Sequence, residues 1–183
     1  MDDLTKRIMD ADLWPYIDSA DNLDTLNAIA DSIFSSGSLE GLVAATLIYH
    51  QIIELMCKHI LEDCYFFIEL SIYPARINFS IPSDKMFGYY LNELEKSIDF
   101  SGKEQFISSV RQFNKIRIDI VHKLCKNNVS DTMTKLSNIK ENFDEIFKQY
   151  DAIQDSFRVD FHDFQKDVFL DYLSDEEYAK YFE

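Results

Sequence analysis

Glycine and proline are scarce, four of one and three of the other in 183 residues. Tight hairpins and barrel corners rest on these residues, so their shortage excludes a many-stranded β architecture and favours few, long helices. It also removes the usual means of cradling a phosphate in a glycine loop. The chain has no G-x-x-x-x-G-K-[ST] and no G-x-G-x-x-G, and it also lacks H-E-x-x-H and G-x-S-x-G. Cysteine is odd in number, and Cys57, Cys64 and Cys125 show no pairing typical of zinc. They read as reduced, partly buried thiols, with Cys57 and Cys64 seven apart on one helix face as packing residues. No basic-then-apolar leader opens the chain and no uncharged run of 18 residues occurs, so a cytoplasmic protein with no membrane contact is expected. Positive charge is short as well. Eighteen Lys and Arg face 33 Asp and Glu, for a net −15. Affinity for a polyanion rests on cationic contacts, so nucleic-acid binding must be local, to short or single-stranded segments.

What the chain has is apolar mass: 46% hydrophobic residues, with 15 Phe and 10 Tyr. That suffices for a packed core without staples. The expectation is a single all-α domain over residues 1–183, an up-down helical bundle of about five to seven helices. Leu4, Ile8, Leu13, Trp14 and Ile17 suggest two short helices, or one helix and a turn, broken at Pro15. Asp21 or Asn22 would cap a helix carrying Leu23, Leu26, Ile29, Ala30 and Phe34. After the loop Ser35-Ser36-Gly37-Ser38, Ser38 starts the longest helix, from Leu39 to about Ile72, where Pro74 stops it. Its expected buried stripe is Leu39, Val43, Leu47, Ile53, Met56, Ile60, Cys64 and Phe67. A helix after Ser83 would bury Met86, Tyr89, Tyr90, Leu91, Leu94 and Ile98. Past Ser130 come Ile139, Phe143, Ile146, Phe147, Tyr150, Ile153 and Phe157 at helical steps. A break near Arg158-Val159 is expected, followed by Phe161, Phe164, Val168 and Tyr172. Ser174-x-x-Glu177 marks a last short helix. The stretch from Asp160 onward mixes aromatics with acids; it either closes its own bundle or docks a partner.

The chain is organised around residues 114–124, the later half of a helix that opens near Ser101. Ser101 and Glu104 stand in the S-x-x-E relation of a capping box. Ile107, Val110, Phe113, Ile116, Ile120, Val121 and Leu124 form its apolar face. From Lys103 to Lys140 eight basic residues face three acidic ones, a local +5 against −20 for the rest. Such an island either meets a phosphate-bearing ligand or pairs with acidic neighbours. On the long helix, His50/Glu54 and His59/Glu62 read as surface pairs or satisfied core histidines, with Glu54 able to reach the Arg117 helix.

Phe113-Asn114-Lys115-Ile116-Arg117, four residues, then His122-Lys123-Leu124 resembles the Arg-x4-6-His signature of the HEPN superfamily. These are all-helical domains found in prokaryotic toxins, phage-defence proteins and RNA-processing enzymes. Leu47-Ile48, Ile52-Ile53-Glu54-Leu55 and Lys58-His59-Ile60-Leu61 are similar to the family's first long helix. The resemblance spans residues 38–128 as a HEPN-like core, with 130–183 as C-terminal helices. It implies a metal-independent endoribonuclease of toxin or phage-defence type, without cofactor and without a metal ligand set. In it, Arg117 holds the scissile phosphate and His122 serves as general acid or base on the ribose 2′-hydroxyl and leaving oxygen. Asp119, three residues before His122, would orient the ring, and Asn114 and Lys115 would position backbone phosphates. Lys123 and Lys126 complete the substrate-binding set.

Arg117 and His122 are five positions apart, about 140° around an ideal helix. The resemblance implies a homodimer in which two such helices face one cleft, with RNA as substrate. A cognate antitoxin or other protein would dock on the acidic-aromatic C-terminal end. The alternative is a non-catalytic regulator or interaction module of the same fold. Family members that cleave RNA usually carry a polar residue directly after the arginine, and this chain has Ile118. In that reading Lys115, Asp119 and Lys123 form a surface ladder, His122 caps the helix end, and Arg117 bridges to an acid on the long helix.

Overall fold

Ser38 sets the entry of the longest helix, its Oγ accepting the Gly41 amide at 3.1 Å. A computed structural model of the chain describes residues 3–15, 20–78, 80–82, 84–124, 126 and 128–169. Among these are seven α-helices, one 3₁₀ turn and no strand. They are α1 (Asp3–Met9), the 3₁₀ turn Ala11–Leu13, α2 (Ala20–Phe34), α3 (Leu39–Ser71), α4 (Phe87–Lys96), α5 (Lys103–Lys123), α6 (Val129–Leu136) and α7 (Ile139–Phe169). The protein is an all-α helical bundle.

The 33 residues of α3 extend about 50 Å. They pack against α2, α4, α5, α6 and α7, and one apolar core runs through all the described helices. By length and composition α3 would also suffice to cross a membrane, but half of its most apolar window is buried inside the bundle. Aromatics fill the seam between α3 and α7. Tyr49 stacks on Phe143 with centroids 4.2 Å apart, and Phe66 meets Phe161 edge-on at 4.9 Å.

Coverage on several sides explains why the single stripe expected for α3 is too narrow. Ile53, Met56, Ile60 and Cys64 are buried as expected. In the first half Gly41, Leu42, Ala45, Thr46, Tyr49, His50 and Ile52 are buried as well, while Leu47 is 40% exposed. Met86 is also exposed, because it stands at the N-cap of α4 instead of inside the helix. The break foreseen at Arg158-Val159 is absent. Phe157 and Phe161 are one i,i+4 step apart, so the rhythm continues through α7, with Val159 outward and Arg158 reaching sideways.

Helix starts also depart from expectation. Ser101 and Glu104 form no capping box; α5 starts at Lys103 after Gly102, which holds φ 81° at the N-cap position. Such a left-handed backbone suits glycine. Lys103, almost fully buried, donates its Nζ to the Ser97 and Ile98 carbonyls at 2.9 and 3.1 Å. Asn128 caps α6, which therefore begins at Val129, one residue before Ser130. Helix α2 already runs from Ala20, so neither Asp21 nor Asn22 is its cap. Ile17, Cys125, and the Ser174-x-x-Glu177 helix with its aromatic residues lie outside the described residues.

Two further polar groups of α3 are buried in the core. His59 Nδ1 pairs with the Tyr150 hydroxyl at 2.9 Å. Asp63 accepts from Gln154 and from Arg158 Nη2, and the same Nη2 donates to the Pro15 carbonyl at 2.8 Å, tying the N-terminal turn to α7. Burial, then the charges of Lys58 and Arg158, push the His59 imidazole down to about 3. The unfolded chain protonates that ring near pH 6.5 and the folded chain does not until about 3, so stability falls as pH drops through this window. The wild-type protein is expected to lose about 2 kcal/mol between pH 7.5 and 5 that a His59→Gln variant does not lose, read from urea unfolding at each pH.

Candidate functional site

Helix α5 turns Phe106, Val110, Phe113 and Ile120 into the core. Asn114 and Arg117, one turn apart, lie at the edge of that face, half-buried against α3. On α3 the matching residues are His50 and Glu54, also one turn apart. His50 is 3% exposed; its Nε2 pairs with Asn114 Oδ1 at 3.2 Å, and the Phe87 ring of α4 lies 4.8 Å from its centroid. Two nitrogens at this seam are out of solvent without a hydrogen-bond partner, Nδ1 of His50 and Nε of Arg117.

The electrostatics follow from this seating. Burial first, and then the Arg117 guanidinium, lower the His50 pKa, with the Asn114 contact acting weakly the other way. The imidazole is neutral around pH 7. Burial raises the Glu54 carboxyl, and Arg117 partly offsets that rise. Arg117 and Glu54 thus interact through charge, with no ion pair between them.

The outer side of α5 differs. Lys115, His122 and Lys123 are exposed there, as is Lys126 beyond the helix end. His122 makes no hydrogen bond to any described residue; Asp119 does not orient its ring. Instead Asp119 Oδ1 accepts from Lys123 Nζ at 2.6 Å, which holds this carboxyl below its usual range. Lys115 acts on Asp119 through charge alone. Ile118 and Val121 are 41% and 49% exposed, so Val121 leaves the apolar face expected of it, where the end of α5 runs past its cover.

The structure therefore seats Asn114 on His50, with Arg117 and Glu54 one turn away on their helices, turns Lys115, His122 and Lys123 outward, and leaves Lys126 past the end of α5. The i,i+4 relation of His50 and Glu54 is visible in the sequence. The partner 64 residues away is not, because no local pattern encodes it. Chemically, the seam offers a guanidinium with unused donors beside a neutral imidazole, an arrangement suited to an oxyanion. Among the described residues no group of three or more His, Cys, Asp and Glu could hold a metal ion. No family model, curated protein or solved structure matches the chain.

The Asn114 contact is open to direct measurement. Asn114→Ala leaves a buried imidazole N–H without an acceptor and is expected to destabilise the fold by about 1–3 kcal/mol in urea unfolding. Lys115→Ala, one residue on but exposed, is expected to stay within about 0.5 kcal/mol of wild type.

Proposed function

We propose that the chain is a HEPN-like helical protein that binds RNA at α5 and cleaves it as a metal-independent endoribonuclease of toxin or phage-defence type, working as a homodimer. The observation that carries this reading is Arg117, half-buried at the α3–α5 seam with its Nε unpaired and its charge acting on His50 and Glu54, on the helix that also exposes His122. Arginine so placed grips a phosphodiester with its remaining donors and stabilises charge developing on the phosphate oxygens. The ribose 2′-hydroxyl attacks phosphorus, forming the P–O2′ bond and breaking P–O5′. An imidazole at 122 takes the proton from the attacking oxygen, and one returns a proton to the leaving oxygen. Asn114, Lys115, Lys123 and Lys126 hold flanking phosphates.

Within one chain Arg117 and His122 point to different sides of α5, so the reading needs a second copy to bring them to one cleft. Exposed Ile118 and Val121 beside the pair supply apolar surface for that contact. The second reading is a non-catalytic regulator or interaction module of the same fold. It is favoured by Ile118 in the slot after the arginine and by the outward turn of His122.

Purified protein incubated with labelled RNA in excess EDTA decides between them. Cleavage is expected, falling at least about 100-fold in His122→Ala, and falling with Arg117→Ala as well. Cleavage at an equal rate in His122→Ala dismisses the nuclease assignment. RNA binding without any turnover favours the second reading.

A further inference from the structure

The seating of His50 on Asn114 has a directionality that the phosphate-holding role of Arg117 alone does not require. Asn114 presents its amide oxygen to His50 at 3.2 Å, so the ring donates from Nε2–H and carries its lone pair on Nδ1. That Nδ1 has no hydrogen-bond partner and neither has the Nε–H of Arg117; both are out of water. One orphan is an acceptor and the other a donor. Arg117 lies one turn along α5 from Asn114, on the side of the helix that meets His50, and its charge acts on the imidazole. The Phe87 ring against His50 and its 3% exposure leave the imidazole little freedom to turn elsewhere.

We propose that His50 is the positioning residue for Arg117: with its Nε2–H held by Asn114, its Nδ1 accepts the Arg117 Nε–H when an oxyanion engages the two outer guanidinium nitrogens. Arginine presents its donors in a rigid plane. Fixing Nε from behind therefore aims the two Nη groups as an end-on fork, which suits two oxygens of one phosphodiester. Asn114 then acts twice, as a neighbour of the ligand and as the group that sets the His50 tautomer. Glu54, an i,i+4 neighbour on α3, supplies the negative charge that accompanies the guanidinium before the ligand arrives. This rests on the phosphate-holding role of Arg117 given above, and adds to it a residue 67 positions earlier in the chain.

Two measurements on the full chain test it. The first follows the ¹⁵N resonances of the His50 ring while inorganic phosphate is titrated into wild-type protein. The Nδ1 signal is expected to move towards a hydrogen-bonded value as phosphate saturates Arg117. The second measures binding of an oligoribonucleotide whose 2′-hydroxyls are methylated, so that no cleavage follows. His50→Ala is expected to bind about tenfold more weakly, the loss of one hydrogen bond to a charged group. His50→Asn, which puts an amide oxygen near the Nδ1 position, is expected to recover most of that affinity. An Nδ1 resonance indifferent to phosphate overturns the proposal, as does wild-type affinity in His50→Ala. If phosphate moves the Nδ1 signal but wild-type protein does not bind the oligoribonucleotide, the positioning role stands and the RNA reading falls.

Discussion

The fold depends on covering one 33-residue helix on most of its sides, and apolar burial alone would leave that cover free to slide. Hydrophobic contact has no direction; a helix rich in Ile, Leu and Phe can be met in several registers at similar cost. What removes the ambiguity is the polar side chains that α3 carries into the core. His50 is met by Asn114 of α5, His59 by Tyr150 of α7, and Asp63 by Gln154 and Arg158 of α7. Tyr49 reaches back to Asp31 of α2. A buried polar group left without its partner costs about 1–3 kcal/mol, so each of these contacts penalises a shifted neighbour. Together these four residues fix α2, α5 and α7 along α3, Tyr49 and His50 at one level and His59 and Asp63 further on.

The same pins decide what α5 can present. Once Asn114 is seated on His50, the helical period assigns the rest: Arg117 falls on the seam, Ile118 and Val121 on its open edge, and His122 on the far side. The sign of the local charge is set along with the geometry. The segment 103–140 carries +5 in a chain of −15, and most of its cations on α5 are exposed. One of them, Arg117, is drawn partly inward, where a smaller effective dielectric strengthens whatever it touches.

Helices were legible in the sequence where period and punctuation agreed. Ser38 as a cap, an apolar period from Leu39 and Pro74 beyond the end locate α3 within a residue. Less legible are faces: a periodic pattern names one stripe while α3 is covered by five helices, so Leu47 falls outside the buried set, and Val121 leaves the face expected of it near the end of α5. Caps failed where a backbone conformation did the work of a side chain, as at Gly102, where S-x-x-E is present and unused. At the site, Asn114, Arg117 and His122 could be singled out from one short stretch. Their division into an inner and an outer group followed from the 140° of helix between positions 117 and 122. The seating of His50 on Asn114 could not be read, because a hydrogen bond across 64 residues leaves no trace in local spacing.

That division bears on how binding and turnover relate in the reading given above. The groups that surround Arg117 at the seam belong to one chain: α3 supplies His50 and Glu54, α4 packs Phe87 against the His50 ring, and α5 supplies Asn114. In that reading the anion site is complete in one molecule. His122 has no such support, being exposed and without a hydrogen bond to any described residue, and its nearest acid, Asp119, is taken by Lys123. An imidazole that works as acid or base has to be held within hydrogen-bond reach of the proton it moves. On this chain that constraint can come only from the bound RNA or from a second copy of α5. Affinity and catalysis would then have different origins: the first is fixed when the chain folds, and the second arises when the outer face of α5 is covered.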